Sequence, residues 1–152
     1  MEITQDHNRR VWDERARQGL LHTRTARDDE FDDPLKAING RGWIDGALDG
    51  KHVLCLAGGG GLQAPLYAAA GAKVTVVDIS PEMLEQDRCV ALERGLELQT
   101  VAASMDDLPM LANASFDLVT QPVSTCYVPS LAKVYDEIAR VLSVGGQYLS
   151  QH

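Results

Sequence analysis

The sequence predicts an α/β fold, in which a doubly wound and mostly parallel sheet is flanked by helices. From Lys51 onward, short apolar runs alternate with segments of helical period, and glycine or proline marks most of the boundaries between them. The chain of 152 residues also has the length of one ordinary domain. Because residues 1–46 are more charged and poorer in aliphatic runs, we expect them to form a helical cap on a sheet domain at 47–152.

The cap is predicted to contain two helices and an exposed loop. The first helix covers residues 6–18 and is stopped by Gly19. Residues 24–34 are rich in carboxylates and have no period, which is typical of a solvated acidic loop rather than a metal site. A second short helix is expected at 35–48.

The sheet domain is predicted to contain five strands and three helices. The strands are expected at 52–57, 73–77, 97–102, 116–120 and 147–151, and the helices at 62–70, 81–94 and 129–142. The first strand, HVLCLA, is almost entirely apolar, which indicates a central strand buried on both faces. Ser80 is placed to cap the helix at 81–94, with Pro81 at its first position and Gly95 after its end.

Composition narrows the classes of partner. A net charge of -8 repels phosphate backbones, so we expect no nucleic acid partner. No apolar run reaches the roughly 18 residues of a membrane span, and no leader-like segment follows Met1, which predicts a cytoplasmic protein without a membrane partner. The three cysteines have no CxxC spacing and are expected to be reduced, buried thiols.

A glycine-rich turn is the first feature that points to chemistry. The first strand runs into glycines 58–61 and then into a helix, which offers backbone amides to a ligand with no Cβ in the way. Asp78 ends the next strand, where a parallel sheet would bring its carboxylate beside the turn to accept hydrogen bonds from ribose hydroxyls. The pattern predicts nucleotide binding, with a tight structural connection as the alternative.

With these segments in order, the chain resembles class I S-adenosylmethionine-dependent methyltransferases from about Trp43 to His152. The segments that carry the resemblance are LCLAGGGG at 54–61, VVDISPEM at 76–83, ASMDDLP at 103–109, FDLVTQPVSTCYVPSL at 116–131 and ARVLSVGG at 139–146. The resemblance implies a Rossmann-like fold, S-adenosylmethionine as the cofactor, and in-line transfer of its methyl group.

The resemblance also implies a set of cofactor contacts. By position these are Ala57, Gly58, Gly59, Gly61, Asp78, Ile79, Met83, Ser104, Met105 and Gln121. In that scheme the glycines approach the methionine part, the carboxylate holds the ribose, and Ile79 and Met83 pack on the adenine. The loop at 103–109 recognises the adenine edge, and Gln121 faces the reacting end of the cofactor.

Three departures from the family pattern shape the expected reaction. Cys55 stands where an acidic residue is common, and Ala57 stands where the first glycine is usual. Residues 121–123 lack the signature of base or glutamine N-methylation, which favours a small-molecule acceptor. No catalytic residue is assigned; His22, Tyr127 and Cys126 are candidates for a base near the mouth of the site.

Two other functions stay open on sequence grounds. Gly59, Gly61 and Ala64 also satisfy GxGxxA, and Asp78 could hold an NAD ribose, so an NAD(P)-dependent oxidoreductase domain is one alternative. A non-catalytic cofactor-binding module is the other.

The chain is also expected to be a fragment. The sheet of the methyltransferase family that it resembles usually continues past the fifth strand, whereas this sequence stops there. We therefore expect an open sheet edge, which favours a homodimer, and slow turnover.

Overall fold

The computed structural model describes residues 2–151, and the sheet within that range has five strands. They are β1 (His52–Leu56), β2 (Lys73–Asp78), β3 (Leu98–Ala102), β4 (Phe116–Gln121) and β5 (Leu142–Ser150). Their order across the sheet is β3-β2-β1-β4-β5, and every neighbouring pair is parallel. The predicted α/β fold is confirmed, with the apolar strand β1 at its centre.

Five α-helices lie in the same range. They are α1 (Glu2–Gln18), α2 (Pro34–Ile38), α3 (Gln63–Ala69), α4 (Pro81–Arg94) and α5 (Leu131–Val141). Helix α4 has the predicted bounds because Ser80 Oγ accepts a hydrogen bond from Met83 N at 3.1 Å and Gly95 adopts a φ of 64°. Helix α1 ends before Gly19 as expected, although it begins earlier than the predicted residue 6.

The second predicted helix is wrong beyond Ile38. Asn39 ends α2 because its side chain closes a turn, with Oδ1 accepting from Ile44 N at 2.9 Å and Nδ2 donating to Ile44 O at 3.1 Å. Gly42 follows with a φ of 67°, which a helix cannot accommodate. The acidic stretch before α2 is also more ordered than predicted, since Asp28–Phe31 form a 3-10 turn.

The fifth strand is longer than predicted. It begins at Leu142, opposite Phe116, and then bulges, so that the regular pairing resumes between Leu118 and Gln147. The predicted start at residue 147 marks the resumption of pairing after the bulge. In this sheet β3 and β5 are the edge strands.

Two apolar layers cover the two faces of the sheet. Along β1, Val53 and Cys55 belong to one layer and Leu54 and Leu56 to the other, as the alternation of a strand requires. Helix α3 packs in the first layer and α5 in the second. Within residues 2–151, no helix is both long enough and apolar enough to cross a membrane.

The strand order determines where a ligand can bind. From β1 the chain builds outward through β2 to β3 and then returns to the other side of β1 with β4. In parallel sheets the connections diverge at such a reversal and leave a crevice at the carboxyl ends of the strands. That crevice lies beyond the ends of β1 and β4.

Candidate functional site

The glycine turn, residues 57–61, leaves the carboxyl end of β1 at this crevice. Ala57 begins it with a φ of 51°, a conformation usually left to glycine. At Gly59 a Cβ would lie only 2.9 Å from Asp78 Oδ2 and from the Met83 Cβ. Glycine at this position therefore lets the turn close against β2 and α4.

Asp78 holds the cavity side of the turn. Its Oδ2 accepts from Gly59 N at 2.9 Å, and its Oδ1 accepts from Ser80 N at 2.9 Å. The carboxylate is only 9% exposed, and burial raises its pKa, although the amides of Ser80, Gly59 and Ile79 act in the opposite direction. The predicted position of Asp78 beside the turn is confirmed.

Asp87 holds the opposite side of the turn, and sequence reasoning missed it. Its Oδ1 accepts from Gly61 N at 2.8 Å and its Oδ2 from Gly60 N at 3.1 Å. The residue has no exposed surface, and burial raises its pKa to about 7 against the effect of both amides. A signal was present in the sequence, because Asp87 lies in the middle of an apolar stripe of α4 formed by Met83, Leu84, Val90 and Ala91.

Cys55, which belongs to β1, lies near Asp87 of α4. The thiol is fully buried, and that burial raises its pKa to about 12. A buried, reduced Cys55 is confirmed, but Cys89 and Cys126 are exposed, so the expectation of buried thiols is wrong for those two. Cys55 stands where the resemblance leads us to expect an acid, and here Asp87 of α4 and Asp78 of β2 supply the carboxylates that contact the turn.

A cavity of about 900 Å³ opens over the turn. It brings together eight of the ten predicted cofactor contacts, namely Ala57, Gly58, Gly59, Asp78, Ile79, Met83, Ser104 and Met105. The walls are mainly apolar, with Asp78 as the carboxylate in the lining. This is the size and character of a site for a nucleotide-like ligand.

Two predicted contacts, Gly61 and Gln121, lie outside that lining. Gly61 faces away from it, since its amide donates to Asp87 and its carbonyl accepts from Ala26 N at 2.8 Å. Gln121 is buried at the end of β4, where its Nε2 donates to Ser124 Oγ at 3.0 Å and its Oε1 accepts from the Tyr148 hydroxyl at 2.6 Å. Its amide is therefore engaged within the protein.

The loop after β3 forms one wall of the cavity. The amide of Ala103 donates to Asp78 O at 3.1 Å, which attaches the loop to the end of β2. Ser104 Oγ donates to Asp106 Oδ1 at 2.5 Å, and Gln5 Nε2 of α1 donates to the same oxygen at 3.4 Å. Asp106, a second residue that sequence reasoning missed, thus orients the Ser104 hydroxyl.

Helix α1 covers the cavity. Asp13 Oδ1 accepts from Ser80 Oγ at 2.6 Å and from Glu82 N at 3.3 Å, so one side of α1 is attached to the start of α4. On the other side, Trp12 meets Tyr127 edge to face, with ring centroids 5.7 Å apart. The helix therefore spans the crevice between α4 and the segment after β4.

The three candidate bases are placed differently. His22 and Tyr127 line the large cavity, whereas Cys126 does not. Because His22 and Tyr127 come from separate segments of the chain, only the tertiary structure brings them to one cavity.

Comparison with known protein families gives one match over most of the chain. Residues 54–150 match the model of a methyltransferase domain. YbaJ of Bacillus subtilis, an uncharacterized methyltransferase, is 38% identical over 155 residues, covering 95% of this chain and 60% of YbaJ. The ubiquinone biosynthesis O-methyltransferase of Paracidovorax citrulli is 38% identical over 118 residues, covering 74% of this chain and 50% of that enzyme.

Solved structures show the same fold. Geranyl diphosphate C-methyltransferase from Streptomyces coelicolor, solved with S-adenosyl-L-homocysteine, superposes with a TM-score of 0.73 at 20% identity, over 97% of this chain and 63% of that one. An S-adenosylmethionine-dependent methyltransferase from Mesorhizobium loti superposes with a TM-score of 0.65 at 25% identity, over 80% of this chain and 56% of that one. The chain thus spans between half and two thirds of the length of each of these four relatives.

Proposed function

Because the chain belongs to the methyltransferase domain family, we propose that it binds S-adenosylmethionine in the large cavity and directs its methyl group to a small molecule. The observation that carries the proposal is the cavity of about 900 Å³, which gathers the glycine turn, Asp78 and the loop after β3 at the carboxyl ends of the strands. Bound there, the cofactor supplies an electrophilic methyl group on a sulfonium.

The residues present fit this cofactor. Glycines 58–60 line the cavity without side chains, so a ligand can lie close to the backbone of the turn. The Asp78 carboxylate is oriented by two amides and lines the cavity, which suits it to accept hydrogen bonds from ribose hydroxyls. Ile79 and Met83 offer an apolar wall to the adenine.

The protein's part in methyl transfer is mainly alignment and exclusion of water. Helix α1 and Tyr127 close the cavity from above, while the glycine turn and Asp78 form its floor. An oxygen nucleophile must also lose its proton, and His22 and Tyr127 are the proposed acceptors because both line the cavity. Each would act on the acceptor rather than on the cofactor.

The oxidoreductase alternative has lost its support. A hydride-transfer domain does not account for the match over residues 54–150, and the relatives are methyltransferases by name. The non-catalytic module is separated from an enzyme by measuring turnover as well as binding. We also propose the helical cap at 1–46 as a cover for the cofactor, on the strength of the α1 contacts described above.

Calorimetric titration tests the cofactor. We expect S-adenosylmethionine and S-adenosylhomocysteine to bind to the chain, and NADH not to bind. Asp78→Ala should lower the affinity for S-adenosylhomocysteine at least tenfold, since hydrogen bonds to a charged group contribute about 1.5–3 kcal/mol each. Glu97→Ala, an equal charge change at an exposed site, is the control. Unchanged binding in a folded Asp78→Ala variant would remove Asp78 from the site.

A further inference from the structure

A second, smaller cavity of about 260 Å³ lies beside the first. It is formed by the segment after α2, the start of α3, and the carboxyl ends of β4 and β5. Gln63, Pro122 and Gln151 line both cavities, so the two spaces adjoin at these residues. A molecule in the small cavity would therefore sit next to a cofactor in the large one.

The walls of the small cavity combine apolar side chains with uncharged polar ones and a single charged group. Trp43 and Tyr67 contribute rings, Ile38, Ile44 and Leu149 contribute aliphatic surface, and the lining contains no carboxylate. Arg41 is its only charged side chain among the described residues. A space that offers two aromatic rings, uncharged hydrogen-bonding groups and a single cation, with no carboxylate, is suited to a small aromatic anion.

Arg41 is available for such an anion. Its guanidinium lies 4.9 Å from the centroid of the Trp43 ring, and no ion pair found within residues 2–151 includes it. The large cavity differs, because its Arg24 is paired with Glu30 at 3.0 Å. Although the chain has a net charge of -8, Arg41 thus lies at this cavity without a carboxylate partner among the described residues.

Gln63 adds a polar contact at the junction of the two cavities. Its Oε1 is buried and has no hydrogen-bond partner among the described residues. A buried carbonyl oxygen without a partner is costly, and a hydroxyl or amine of an incoming molecule would relieve that cost. The position of Gln63 would turn that group toward the cofactor side.

We propose that the small cavity is the methyl-acceptor subsite and takes a small aromatic carboxylate, which Arg41 holds by its charge while Gln63 Oε1 accepts from its hydroxyl. This inference rests on the proposed cofactor site. The cofactor's methionine part also carries a carboxylate, and this group is the alternative partner for Arg41. The experiment below distinguishes the carboxylate of the acceptor from that of the cofactor.

The test uses the chain saturated with S-adenosylhomocysteine and compares two probes by calorimetry, 3-hydroxybenzoate and its neutral amide, 3-hydroxybenzamide. We expect the carboxylate to bind about tenfold more tightly, as a charge-assisted contact implies. Arg41→Gln should abolish this preference, and Arg41→Lys should retain most of it. Arg10→Gln, an arginine outside both cavities, should leave it unchanged.

A further variant tests the orientation of the acceptor. Gln63→Leu should lower the affinity for 3-hydroxybenzoate. The affinity for benzoate, which lacks the hydroxyl, should not change. Equal binding of carboxylate and amide to the wild-type chain would overturn the inference. Weaker S-adenosylhomocysteine binding in Arg41→Gln would also overturn it, by assigning Arg41 to the cofactor. If S-adenosylhomocysteine fails to bind the wild-type chain, the proposed function fails with it.

Discussion

The glycine turn and helix α1 border the same cavity but are held in place by different means. The turn is held by two buried carboxylates, Asp78 and Asp87, which accept from three of its amides. Helix α1 is held through part-buried contacts of Asp13 and an exposed ion pair between Arg17 and Glu82. Buried hydrogen bonds to charged groups are worth more than exposed ion pairs. The floor of the cavity is therefore preformed, while its cover is weakly attached.

The largest effect is expected from Asp87→Ala, which breaks the floor. Loss of the carboxylate leaves the buried amide of Gly61 without its acceptor and leaves the amide of Gly60 with the carbonyl of Met83 alone, so the free energy of unfolding should fall by about 2–4 kcal/mol. Urea denaturation followed by circular dichroism measures this change. Glu93→Ala, an exposed acid on the same helix, is the control and should change stability by less than about 0.5 kcal/mol. A small effect of Asp87→Ala would show that the turn does not depend on this carboxylate.

Titration of Asp87 should also make the free energy of unfolding depend on pH. Burial raises the pKa of Asp87 from 3.8 to about 7 in the folded chain, so the folded state binds the proton more tightly than the unfolded state. The stability that this provides is fully present below about pH 4 and is lost as the pH rises to about 7, in total up to about 4 kcal/mol.

Asp87→Asn isolates this contribution because it cannot titrate. The difference in unfolding free energy between wild type and Asp87→Asn should shift in favour of the variant as the pH is raised from 4 to 8. Urea titrations at several pH values give the difference directly. A difference that stays constant over this range would mean that Asp87 does not titrate near neutrality.

Breaking the cover should have a smaller effect on stability. Asp13→Ala removes the contacts with Ser80 Oγ and Glu82 N, and we expect a loss of about 1 kcal/mol of stability. The dissociation of S-adenosylhomocysteine, measured by stopped flow, should accelerate about fivefold because the helix opens more often. Glu14→Ala, which removes an exposed acid of the same helix, is the control. Unchanged dissociation would mean that α1 does not cover the ligand.

The smallest effect is expected at Ala57, where the turn begins. An alanine with a φ of 51° is strained, and glycine relieves that strain while adding entropy to the unfolded chain. The relief of strain slightly exceeds the entropic cost, so Ala57→Gly should raise the free energy of unfolding by about 0.5 kcal/mol. Ala102→Gly in β3 has no such strain and should lower it. A loss of stability in Ala57→Gly would show that Ala57 is not strained.

Local pattern was sufficient for most of the scaffold. The apolar run of β1, the cap at Ser80 and the stop at Gly95 are each determined by neighbours in sequence, so their positions could be predicted. The predicted helix at 35–48 failed because the Asn39 side chain bonds to Ile44 in place of the helix backbone. Side-chain competition of this kind is not visible in periodicity.

Local patterns of residues were enough to predict the sheet, the glycine turn and the acid at the end of β2. Three other features are visible only in the folded chain: Asp87 supports the turn, Gln121 is engaged by Ser124 and Tyr148, and Arg41 borders a second cavity. These contacts join segments far apart in the chain. They depend on how helices and loops pack over the strand ends, and packing depends on the shapes and charges of all the partners at once rather than on local pattern.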